Sequence, residues 1–133
     1  MSRRVVFSAD APKPVSAYSQ AIQHGSLLFL AGQIPLDPAT GKLVSGSIAE
    51  ETERVLENLR AVLGAAGATL NNVVKTTVYL TNMADFAPFN ETYARYFSKQ
   101  PPARTTVAVA ALPLGVRVEI EAIAALPSQQ PTA

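Results

Sequence analysis

Residues 47 to 67 read SIAEETERVLENLRAVLGAAG, and no other stretch limits the fold so tightly. Ser47 with Glu50 three residues on makes a capping box, in which each residue satisfies a backbone donor at the start of a helix. Ile48, Val55, Leu56, Leu59, Val62, Leu63 and Ala66 then recur at helical spacing along one stripe. Gly67 is placed to end the helix in the left-handed conformation. An apolar stripe of this length must be buried against another layer, and the chain offers only one further helix to meet it. Asp85 can cap that second helix, with Phe86, Phe89, Tyr93, Tyr96 and Phe97 on one face and Pro88 tolerated in the first turn.

The remaining apolar segments are short, and Val73 to Leu80 is rich in β-branched residues, which predicts strands. They are Arg4 to Phe7, Ala21 to Gln23, Leu27 to Ala31, Val73 to Leu80, Ala103 to Ala110 and Val116 to Ala125. SADAPKPVSAY and GQIPLDPATGKL between them read as irregular loops. The tail SQQPTA is polar and expected to be loose. Strand, strand, strand, helix, strand, helix, strand, strand is an α+β order. It predicts a mixed β-sheet with two α-helices packed on one face, in a single domain spanning 1–133. No third helix is left for the opposite sheet face, so a partner subunit is its natural cover.

With 48% apolar and 16% charged residues and a formal charge of +1, the chain lacks the basic block that would neutralise many phosphates. Nucleic acid is not an expected partner. Without cysteine there are no disulfides, thiol nucleophiles or thiolate metal sites. MSRRVVFSADAPKP has too few apolar residues for a secretory signal, and no run approaches the roughly 18 apolar residues of a membrane span, so a cytoplasmic protein is expected. His24, the single histidine, falls in a predicted turn, where exposure is expected rather than catalysis.

PPARTTVAV, residues 101–109, sets one arginine between a double proline and a predicted strand. The prolines deliver the chain in extended form, so Arg104 is held at a strand start. In the last strand Val116, Val118, Ile120 and Ala122 alternate with Arg117, Glu119 and Glu121, and the apolar set is expected to face the helices. If Val107 and Val109 face the helices too, then Arg104, Thr106, Ala108 and Ala110 share the opposite face with Glu119. An arginine there suits bidentate recognition of a small carboxylate, and a nearby glutamate can position or deprotonate water. A structural ion pair at a subunit contact satisfies the same pattern, and spacing does not choose between the two.

PPARTTVAVAALPLGVRVEIEAIA, with AYSQAI, AGQIPLDPATGKL and VVKTTVYLTNMADFAPFNETYARYF in that family's order, resembles the RidA (YjgF) family over almost the whole chain. The resemblance implies a chorismate-mutase-like subunit in a homotrimer with ligand clefts at the subunit interfaces. The implied activity is hydrolytic deamination of reactive 2-enamine and 2-imine acids, such as 2-aminoacrylate or 2-iminobutyrate, to 2-keto acids and ammonia, with no cofactor and no metal. Position by position, Arg104 matches the arginine that grips the substrate carboxylate and Glu119 the glutamate that orients and activates water. Tyr18 matches a tyrosine bordering the cleft, Gly32 a backbone donor, and Asn90 a cleft asparagine, while Thr106 offers its backbone carbonyl to the substrate nitrogen. Read without the resemblance, Tyr18 is an interface tyrosine, Gly32 a close-packed strand end and Asn90 a helix-surface amide. Glu121 rivals Glu119 and ranks second, as a structural or rim charge.

Three positions depart from the family pattern: Ala31 stands where serine is common, Thr106 where cysteine is common, and Ala17 where proline is common. Two other functional classes stay open. A non-catalytic regulatory trimer that binds small carboxylates would need Arg104 but not Glu119. A ribonuclease, proposed for some relatives, would want a histidine pair or a basic stripe with interleaved aromatics, and neither is present.

Overall fold

The computed structural model describes residues 2–127; the SQQPTA tail lies outside the described residues. Six strands and two helices follow the predicted order: β1 Arg3–Val6, β2 Ala21–His24, β3 Leu27–Gln33, α1 Ile48–Ala65, β4 Val73–Leu80, α2 Phe86–Tyr96, β5 Ala103–Ala108 and β6 Val118–Ala125. They form one sheet in the order β1-β2-β3-β6-β4-β5, in which only the β4–β5 pair is parallel.

The capping box of α1 is present: Glu50 N donates to Ser47 Oγ at 3.1 Å and Ser47 N to Glu50 Oε1 at 3.2 Å. At the other end Gly67 takes φ +75°, and Ala68 N donates back to Leu63 O at 2.9 Å. The stripe between them is buried, with Val55, Leu56, Leu59, Val62 and Leu63 packed on Leu28, Val78, Val118, Ile120 and Ala124 of the sheet. Each such leucine contributes about 2–3 kcal/mol through removal from water. The aromatic face of α2 closes the same layer: Phe89, Tyr93 and Phe97 stack at centroid distances of 5.4 and 4.7 Å. Tyr93 and Thr76 share a buried hydroxyl–hydroxyl bond of 2.6 Å.

Local expectations shift at several points: β1 runs Arg3–Val6 rather than to Phe7, β2 takes in His24, expected in the turn, and β3 continues to Gln33. Asp85 makes no side-chain cap; a 3₁₀ turn, Met83–Asp85, precedes α2, and Asn82 caps that turn by accepting from Ala84 N at 2.9 Å. β5 stops at Ala108 rather than Ala110. β6 begins at Val118 rather than Val116, because the 3₁₀ turn Pro113–Gly115 occupies the approach. Arg117 therefore lies outside the strand alternation and turns to Glu51 of α1, to which its Nε donates at 2.8 Å, and to Gly46 O at 2.6 Å.

Away from the helices the sheet is uncovered. Val5, Ile22, Phe29 and Ile123 line up across four strands in the ladder register, with Phe29 43% exposed.

Candidate functional site

Arg104 does not share a face with Glu119, which overturns the expectation from alternation. In the parallel β4–β5 register Arg104 pairs with Thr76 and Thr106 with Val78, and both β4 partners are buried beneath the helices. Paired residues point to the same side of a sheet, so Arg104 and Thr106 face α2, while Thr105 and Val107 face the open side. Lys75 confirms the phase from the other face by donating to Thr105 Oγ1 at 2.9 Å.

The rule that larger apolar residues turn inward fails here because β5 is the sheet edge. Its inward row is covered only by the aromatic face of α2, which accommodates a guanidinium. The Arg104 Cζ lies 4.8 Å from the Tyr93 ring centroid, 5.4 Å from that of Phe86 and 5.9 Å from that of Phe89. Such cation–ring contacts are worth about 1–2 kcal/mol when partly desolvated. Arg104 Nη1 also donates to Asn90 Oδ1 at 2.8 Å. Asn90 is thus the brace of the arginine, at the rim of a depression of about 360 Å³ that Tyr93, Phe97, Pro101 and Pro102 also line.

Val109 N donates to Leu80 O at 2.8 Å. By strand alternation Arg104, Thr106 and Ala108 therefore turn their backbone N–H and C=O groups off the edge of the sheet. Thr106 Oγ1 itself is buried and has no hydrogen-bond partner.

Glu119 stands on the open face, directly opposite Tyr79 of β4. Its carboxylate lies across Gly32, where Ala31 and Gly32 together oppose the single residue Glu121 in a β-bulge. A Cβ at Gly32 would meet Glu119 Cδ at 2.9 Å and Cγ at 3.0 Å, so the carboxylate occupies the space a side chain would take. Burial, and then the neighbouring charge of Glu121, pushes the Glu119 carboxyl above the usual carboxylate range.

Gln20 is a residue the sequence reading passed over. Its side chain is buried and closes the loop that precedes β2: Ser8 N donates to its Oε1 at 2.6 Å, while its Nε2 donates to Ser8 O at 3.1 Å and Pro12 O at 2.9 Å. Its backbone carbonyl accepts from Ala31 N at 2.9 Å, which seats the AYSQ segment beside the β3 bulge. Tyr18, two residues earlier, is 49% exposed. A glutamine between a serine and an alanine carries no local pattern that marks it as a clamp, so only the tertiary fold reveals it.

One chain thus divides the expected residues. Arg104, Asn90 and Thr106 lie at the β5 edge on the helix side. Glu119 and Gly32 lie on the open side, with the Tyr18 loop joined to β3. His24 is exposed at the end of β2. Among the described residues, no group of three or more histidine, aspartate or glutamate side chains could hold a metal, and no helix is long and apolar enough to cross a membrane.

Residues 8–126 match the family model described as Endoribonuclease L-PSP. The chain belongs to this Ribonuc_L-PSP (YjgF/RidA) family. A RutC family protein of Pyrococcus horikoshii is 56% identical over 92% of this chain and 97% of its own. The 2-iminobutanoate/2-iminopropanoate deaminase of Mus musculus is 50% identical over 92% of this chain and 90% of its own. Among solved structures, E. coli TdcF with bound serine superposes with a TM-score of 0.89 at 36% identity, covering 93% of this chain and 99% of that one.

Proposed function

We propose that this chain hydrolyses reactive 2-imino acids, such as 2-iminobutyrate or the imine tautomer of 2-aminoacrylate, to 2-keto acids and ammonia. The reaction takes place in clefts shared between subunits of a homotrimer. The observation that carries this reading is the division across the sheet: a braced guanidinium at one edge and a carboxylate of raised proton affinity on the opposite face. The two groups act on one small molecule when the open face of one subunit meets the β5 edge of the next. The naming of a mouse relative as a 2-iminobutanoate/2-iminopropanoate deaminase supports the chemistry, and the serine bound by E. coli TdcF supports a site of amino-acid size.

Arg104 spends one N–H on Asn90 and keeps others to grip the substrate carboxylate. The Thr106 carbonyl at the sheet edge holds the imine nitrogen. Glu119 of the adjoining subunit takes a proton from water as the oxygen adds to C2, and the imine nitrogen takes a proton from solvent to give a carbinolamine. The carboxyl then returns its proton to the amine, which leaves as ammonia while the carbinolamine hydroxyl loses its proton to solvent and the 2-keto acid forms. A base whose proton affinity has been raised toward the working pH suits both halves of that exchange.

Subunit complementation tests the proposal. Arg104→Ala and Glu119→Ala chains carrying different tags are co-expressed, and trimers holding both tags are isolated. Each mixed trimer contains one cleft with both groups, so about a third of wild-type turnover is expected while either variant alone is inactive. If mixed trimers regain nothing, the shared cleft is wrong. If wild type does not accelerate imine loss yet binds 2-ketobutyrate, the non-catalytic regulatory trimer replaces the enzyme.

A further inference from the structure

Tyr79 and Glu121 have no part in that chemistry, yet they surround the residue placed at its centre. Tyr79 is the direct cross-strand neighbour of Glu119, and its hydroxyl donates diagonally to Glu121 Oε1 at 3.1 Å. Glu119 and Glu121 lie two residues apart on the same face of β6, which puts their α-carbons about 6.8 Å apart. The phenol therefore bridges from beside one carboxylate to the other. Burial first, and then the bond to Glu121, holds the Tyr79 hydroxyl above its ordinary range, so it stays a donor throughout the working pH.

We infer that Glu121, held in place by Tyr79, is a positioning residue whose fixed charge, added to the effect of burial, helps set the pH at which Glu119 works as a base. This rests on the reading of Glu119 given above. The logic is electrostatic: a fixed negative charge on the same face disfavours a second one, and the effect lasts only while the first stays put. An unbraced glutamate on an exposed strand face would swing into solvent and lose most of its influence, so the phenol matters as a tether. Among the described residues, Tyr18 lies in the loop seated beside the β3 bulge, and the charged groups that share the face of Glu119 come from β4. β4 contributes Lys75 besides Tyr79; Lys75 bonds to Thr105 and sits opposite Ile123, further down the sheet than Glu121. β5 and the β3 bulge present Thr105, Val107, Ala31 and Gly32, none of which titrates. In the proposed trimer the adjoining subunit adds its Arg104, which pulls in the opposite direction and makes a counterweight useful.

The experiment reads Glu119 directly. Protein labelled with ¹³C at glutamate side-chain carboxyls is titrated by NMR as wild type, Glu121→Gln and Tyr79→Phe, with Glu119→Gln identifying the resonance. Glu121→Gln keeps an acceptor for the phenol and removes only the charge. Its Glu119 midpoint is expected to fall, because the like charge that disfavours the carboxylate is gone. Tyr79→Phe leaves β6 untouched and is expected to lower the midpoint by a smaller amount. The acid limb of the imine-hydrolysis profile should move with these midpoints, whereas a merely structural role would lower turnover at every pH without moving the limb. A Glu119 midpoint that stays put in the folded Glu121→Gln protein overturns the inference; should that variant not fold, an unmoved midpoint in Tyr79→Phe does so. Absence of imine hydrolysis in wild type would instead overturn the proposed function, and the NMR midpoints would still decide the coupling.

Discussion

Gly32→Ala separates the site from the fold. Gly32 is not among the residues of positive φ, so alanine meets no backbone strain, and the change in folding stability should stay within about 1 kcal/mol. The obstacle is the Glu119 carboxylate, whose Cδ and Cγ would stand 2.9 and 3.0 Å from the new methyl. Ordinary contact needs more room, so the carboxylate must retreat by about 1 Å, and misplacing a reacting group by that much costs on the order of 100-fold in rate. This corresponds to about 2.7 kcal/mol of transition-state stabilisation. The assay generates 2-iminobutyrate from its amino acid with an amino-acid oxidase and follows imine loss with and without the variant. On a Glu119→Gln background the same substitution should cost almost nothing further, because the group it displaces is already disabled. Full activity in Gly32→Ala, or an undiminished penalty in the double variant, would refute the placement of the Glu119 carboxylate as the reason this position is glycine.

Two further outcomes follow from the same contacts. Glu119 has its proton affinity raised by folding, so the folded state holds that proton more tightly than the unfolded chain, and stability is lost as pH rises from the unfolded value through the folded one. Glu119→Gln should therefore melt above wild type at neutral pH, with the gap closing as pH falls below the ordinary carboxylate range; an equal gap at all pH values would contradict this. Arg117→Ala leaves the buried Glu51 carboxylate without its cation. Because the arginine itself is 40% exposed and water can partly replace it, the loss in urea unfolding should be about 2 kcal/mol, less than for a fully buried pair.

The helices, their apolar faces and the order of elements along the chain were legible because local chemistry enforces them, as in the Ser47–Glu50 box, the Val55-to-Leu63 stripe and the Gly67 stop, whereas the order of strands across the sheet depends on pairing between distant segments. The face assignment of β6 was equally legible, since Val118, Ile120 and Ala122 are buried and Glu121 is not. β5 was not. Its alternation pits two valines against an arginine and a threonine, and hydropathy favours the valines inward. The parallel register with β4 decides otherwise, and Arg104 is tolerated under α2 only because Asn90 and three aromatic rings await it from residues 86 to 93. Val107, 38% exposed on the open face, is the price of that exchange in an isolated chain. The individual site residues could be named from the sequence, but their distribution over two faces depends on a pairing between segments that no single segment encodes.

The bulge in β3 bears on how such a chain could lose its chemistry. Leu30 lies opposite Ala122 and Gln33 opposite Ile120, with two residues answering to one in between. Deleting either Ala31 or Gly32 would leave a regular ladder in which Leu30 and Gln33 still point toward the helices, so the core would keep its phase. Deleting Gly32 would leave an alanine where Glu119 now rests. A well-packed protein with a disabled reaction centre is thus a single codon away.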